Sequence, residues 1–111
     1  MMLAKANEIN QAIKQSEEYI RYQEALSAVK NCPELYQAMN SFRRRNYELQ
    51  SYDDGINRYQ EIHNLGLEYE NTLRHPLVNG FLMAEQMLSR KMADMYEEIA
   101  EGLEMDYSYM E

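Results

Sequence analysis

Two histidines, one cysteine and 19 carboxylates are the side chains in this 111-residue chain that could do chemistry. Their spacing decides what chemistry is open to them. A carboxylate-bridged metal site in a helical bundle uses Glu-x-x-His on facing helices. Here His63 is preceded at that distance by Gln60 and His75 by Thr72, so neither makes the motif. H-E-x-x-H and C-x-x-C are also missing from the sequence. Cys32 stands just before a helix start, where a thiol's pKa can fall, but a catalytic cysteine also needs a positioned base, and no spacing puts His63 or His75 beside it. There is no glycine-rich phosphate loop. The expectation is no catalytic residue, no metal and no enzymatic activity. A small helical enzyme would require a pocket gathering Glu85 with His63 or His75.

The basic cluster "FRRRNY" at 42–47 is the other candidate. Arg43, Arg44 and Arg45, with Tyr47 nearby, could touch RNA. On a helix, however, three consecutive arginines point about 100° apart and make no flat patch. Arg44 points away from the apolar stripe, while Arg43 and Arg45 flank it, where their stems can cover apolar surface. The net charge of −8 argues against a dedicated nucleic-acid binder and against an anionic membrane surface.

Glu85 lies in an apolar stripe between Phe81, Leu88 and Met92. It can sit at a seam edge and reach water, be buried against a polar partner such as Asn46, an arginine or a tyrosine hydroxyl, or act as an acid or base. The partnered reading is preferred to catalysis, because one polar group in a seam fixes register and choice of neighbour. Glu85 then serves assembly.

Long helices must position these residues. Only 4 Gly and 2 Pro are too few for a many-turned β protein. The first helix is expected over about Leu3–Lys30. Its early stripe is Ala6, Ile9, Ile13 and Ile20, and its later one Tyr19, Tyr22, Leu26 and Val29, rotated by about 100°. Pro33 suits the first position of a second helix running to about Ser51, with Leu35, Met39, Phe42 and Leu49 on one face and Asn46 among them. "YDDG" at 52–55 reads as a turn. A third helix follows over about Ile56–Leu73, striped by Ile56, Tyr59, Ile62, Gly66, Tyr69 and Leu73, with Gly66 at the stripe's centre either for close approach of another helix or simply tolerated there. His75-Pro76 breaks the chain, and a fourth helix runs from Pro76 to about Leu103, striped by Val78, Phe81, Leu82, Leu88, Met92, Tyr96, Ile99 and Leu103.

The expected fold is all-α: an antiparallel bundle of about four long helices, one domain over 1–104 with a flexible acidic tail at 105–111. Helices this long and thin bury modest surface in a lone chain, so the core is expected to be completed by a second copy or another partner. The residues expected at such contacts are Ile9, Ile13, Tyr19, Ile20, Tyr22, Asn46, Gly66, Phe81, Glu85, Leu88 and Met92. Ten tyrosines suit subunit surfaces and nine methionines add adaptable packing, although each taken singly also fits an ordinary helical core. One cysteine cannot form an internal disulfide, the first residues are not a signal peptide, and no run approaches the roughly 18 apolar residues of a membrane span. A cytoplasmic protein is expected.

"HPLVNGFLMAEQMLSRKMADMYEEIAEGL" resembles the C-terminal half of the YlbF/YheA/YmcA family of small helical bacterial proteins. The matching elements are Pro76-Leu77-Val78, Phe81-Leu82, Ala84-Glu85-Gln86 with Leu88, and Ile99-Ala100-Glu101-Gly102-Leu103. "IKQSEEYIRYQEAL" (13–26) and "CPEL" (32–35) resemble the family's first helix and the start of its second. The resemblance implies an all-helical fold, self-association and a non-enzymatic regulatory role as an adaptor in competence, biofilm formation and sporulation. The implied partners are paralogous members and phosphorelay or RNA-processing proteins, among them the endonuclease RNase Y. Some members are associated with an iron–sulfur cluster through cysteines, including ones near the C-terminus. Here 104–111 has no cysteine and Cys32 stands alone, so no cofactor is expected.

Overall fold

A computed structural model describes residues 2–51, 58–103 and Ser108. The turn at 52–55, the start of the third expected helix at Ile56 and, apart from Ser108, the acidic tail 105–111 lie outside the described residues. The described chain is all-helical: α1 (Met2–Lys14), α2 (Glu17–Lys30), α3 (Pro33–Ser51), α4 (Tyr59–Glu68), α5 (Glu70–Arg74) and α6 (Pro76–Gly102).

Six helices stand where about four were expected, because two expected helices are interrupted. The first breaks at Gln15-Ser16. The Ser16 hydroxyl donates to the Ile13 carbonyl at 2.6 Å and accepts from the Tyr19 backbone N–H at 3.2 Å. It thereby closes α1 and caps α2, whose first turn carries Glu17 and Glu18 against the positive end of the helix dipole. The break falls where the apolar stripe rotates. Ser16→Ala should cost about 1 kcal/mol in denaturant unfolding, and an unchanged midpoint would show that the break is set elsewhere.

The second interruption is Tyr69, at φ −103° and ψ 18°, between α4 and α5. Hydrogen bonds still pass through it: its N–H reaches the Leu65 carbonyl at 3.1 Å, and Leu73 N–H reaches its own carbonyl at 2.9 Å. The chain therefore bends without unwinding. The Tyr69 ring packs against Phe42 at 5.7 Å and lies beneath the Arg45 guanidinium at 5.6 Å.

The proline boundaries stand as read. Pro33 opens α3, with the Tyr36 N–H bonded to the Cys32 carbonyl at 2.9 Å. Pro76 opens α6 after an extended His75 (φ −62°, ψ 131°), the conformation a following proline imposes.

Contacts divide the chain into two compact units, one from Met1–Tyr22 with Met83–Glu111 and the other from Gln23–Leu82. The second holds the packed core. Val29, Met39, Leu65, Val78 and Phe81 are all at most 2% exposed, contributed by α2, α3, α4 and α6. Four of these five lie on the stripes read from sequence. The fifth, Leu65, displaces the expected centre at Gly66. An added Cβ at Gly66 would meet nothing within 4 Å, so close helix approach within the chain does not explain this glycine.

Candidate interaction surface

The unit formed by Met1–Tyr22 and Met83–Glu111 is packed quite differently. No side chain of α1 is buried, and Ala84, at 8% exposure, is the unit's only buried residue among those described. Isolated helices as short as α1 are marginal in water, so its helicity depends on what it touches. Ala6, Ile9, Asn10 and Ile13 of α1 line one side of a groove. Met92, Met95, Tyr96 and Ile99 of α6 line the other. The Glu18 carboxylate accepts from Lys91 Nζ at 3.1 and 3.2 Å. Together these pairings run the start of the chain antiparallel to the distal half of α6.

Glu18's own backbone N–H, at the start of α2, and then Lys91 hold its carboxyl below the usual carboxylate range. Because the pKa is depressed in the folded state, this contribution is present above the unfolded value and is lost as pH falls through the folded one. In Lys91→Met, a carboxyl NMR titration should move Glu18 upward yet leave it depressed, since the backbone contribution persists.

Several large apolar side chains of this unit stay open to water outside the groove. Ile20, Met83 and Met87 are 46%, 57% and 47% exposed, and none lines the groove. Of the residues expected at contacts, Ile9, Ile13 and Met92 come together in the groove, and Ile20 is exposed. Tyr19, Tyr22, Glu85 and Leu88 are half-buried. Phe81 is instead fully buried in the core of the other unit, which removes it from any exposed face. Asn46, also half-buried, accepts from the Gln50 side-chain amide at 3.0 Å, a bond within its own helix.

The arginine cluster is drawn into the fold. Arg43 lies over the Phe81 ring at 5.1 Å and donates to the Asn40 side-chain oxygen at 3.2 Å. Arg45 pairs with Glu68 at 3.0 Å and covers Tyr69. Hydrogen bonding from Glu68, and then Tyr69, raises its pKa further. Arg44 and Tyr47 are exposed. The flanking arginines thus cover apolar surface, as their positions suggested. A cleft of about 350 Å³ between α3 and α4 contains Glu48, Glu61 and Glu68, and its cation is the already paired Arg45.

The candidate catalytic groups have local structural work. His75 Nδ1 accepts from the Leu77 N–H at 3.1 Å, capping α6. The His63 ring stacks on Tyr59 with centroids 6.4 Å apart. Cys32 is an exposed free thiol. Among the described residues no three of His, Cys, Asp or Glu gather as metal ligands, and no helix is long and apolar enough to cross a membrane.

Comparison with known proteins adds three findings. A family model described as control of competence regulator ComK, YlbF/YmcA, matches residues 2–104. A UPF0342 protein of Symbiobacterium thermophilum is 29% identical over 106 residues, spanning 94% of this chain and 95% of the relative. A UPF0342 protein of Caldicellulosiruptor bescii is 26% identical over 102 residues, spanning 89% and 85% respectively. No solved structure matches.

Proposed function

The chain belongs to the YlbF/YmcA family, and from that premise we propose that it is a non-catalytic helical adaptor that regulates through self-association and through protein partners. The observation that carries this reading is the uncovered apolar surface of the α1–α6 unit. Ile20, Met83 and Met87 stand about half in water, and the groove of the same unit is lined mostly by apolar side chains. Apolar patches of this kind mark interaction sites in soluble proteins. The family description, control of the competence regulator ComK, is consistent with a protein that acts on other proteins. The partners we expect are paralogous members and phosphorelay or RNA-processing proteins, met in the cytoplasm.

Direct contact with RNA through Arg43, Arg44, Arg45 and Tyr47 receives less support. Two of the three guanidiniums are held over aromatic rings and by Asn40 or Glu68, so an RNA phosphate would have to displace those contacts. Affinity purification of the tagged chain from its host, with mass spectrometry, tests the choice. The adaptor reading expects protein partners that survive nuclease treatment. Retention of RNA alone, lost steeply with salt, would overturn it.

A further inference from the structure

The methionines of this chain sit in contrasting surroundings. Met39 is fully buried in the core, and Met92 and Met95 are half-buried in the walls of the groove. Met83 and Met87, by contrast, are 57% and 47% exposed. They stand four residues apart on α6, so their side chains lie one above the other. The face they share is the one opposite Met92, Tyr96 and Ile99 in helical projection. Met87 also opens into a recess of about 470 Å³ whose walls include Arg90 and Lys91, one turn further along α6. Thioethers this open are reached by small oxidants, which turn an adaptable apolar side chain into a polar one. An oxygen added at Met87 can accept a hydrogen bond from Arg90 or Lys91 of the same subunit. The sulfoxide is therefore accommodated on an uncovered subunit. In an apolar contact the same oxygen would be desolvated without a donor, which is costly.

We propose, building on the self-association reading, that Met83 and Met87 form an oxidation site through which hydroperoxides set the assembly state of the chain. With hydrogen peroxide, the sulfur lone pair attacks one peroxide oxygen. The S–O bond forms, the O–O bond breaks, and the departing hydroxide takes the remaining proton and leaves as water. The sulfur loses two electrons and the peroxide gains them. Thiol-dependent methionine sulfoxide reductases reverse the step, releasing the oxygen as water and leaving a disulfide. Contact with a second copy covers both sulfurs, so oxidation acts on the dissociated subunit and holds it apart.

Hydrogen peroxide treatment of the full chain carrying Cys32→Ser, which removes the exposed free thiol, tests the proposal. Site-resolved mass spectrometry should find Met83 and Met87 oxidised at least about tenfold faster than the buried Met39, and faster still on dilution. Light scattering should show self-association weakened at least about tenfold, and recovered when reductases for both sulfoxide epimers act on the product. Met83→Leu/Met87→Leu nearly conserves volume, so that chain should assemble as before and ignore peroxide. Met83→Gln/Met87→Gln should stay apart without any peroxide, with helix content by circular dichroism unchanged. An oxidised chain that assembles as tightly as the untreated one overturns the inference, as does a leucine variant that dissociates as readily under peroxide. Either result leaves the adaptor reading standing. A chain that is a single subunit before peroxide is added overturns the self-association reading instead, and the untreated run tells the two failures apart.

Discussion

Phe81→Ala should destabilise the chain by about 3–5 kcal/mol in urea unfolding. Phe81 is the largest of the fully buried side chains, and its removal leaves a cavity within the core it shares with Val29, Met39, Leu65 and Val78. The loss also removes the platform under the Arg43 guanidinium, 5.1 Å from the ring. Natural domains are stable by about 5–15 kcal/mol, so this single change would consume a large share of the total. Phe81→Leu keeps most of the volume and should cost much less. A loss below about 1 kcal/mol for Phe81→Ala would mean that the surroundings collapse onto the site, or that the core carries less of the stability than its burial implies.

The second large effect concerns assembly. Ile20→Asp/Met87→Asp should weaken self-association at least about a hundredfold, read by light scattering across a dilution series. Each side chain is about half exposed in the single subunit, so the new carboxylates reach water there, and helix content by circular dichroism should stay unchanged. In an assembled contact the same carboxylates would be desolvated without partners, which is costly. The same charges placed at Gln37 and Ser41, exposed on α3, serve as the control and should change nothing. Loss of helix content along with assembly would instead make Ile20 and Met87 structural residues of the subunit.

Much of this fold is legible in the sequence because proline and helical periodicity act locally. Pro33 and Pro76 mark helix starts through a fixed φ and a missing donor, and both boundaries hold. Val29, Met39, Val78 and Phe81 follow their stripes into the core. Arg43 and Arg45 cover apolar rings as their flanking positions implied. The break at Ser16 carried a signal that could have been used: a serine followed by Glu17 and Glu18 at the point where the apolar stripe changes face. Tyr69 carried none, because its bend is accompanied by ring contacts to Phe42 and Arg45, residues remote in sequence. Around α4 two stripes, one through Gly66 and one through Leu65, have equally good helical spacing, and packing against the rest of the unit selects Leu65. The candidate surface was legible only in part. Met92, Tyr96 and Ile99 share a stripe in the sequence, but Met95 is off it, and which residues of α1 face them depends on how α1 runs along α6.

The central claim is that the unit built on α1 and the distal half of α6 does not cover its own apolar surface. Sedimentation equilibrium of the full chain at low micromolar concentration tests this directly. The account predicts a particle whose mass is a multiple of the 13.2 kDa chain, shifting toward the single subunit on dilution, with the amides of α1 exchanging faster than those of α3. A 13.2 kDa particle at every concentration, with α1 as strongly protected from exchange as α3, would contradict it.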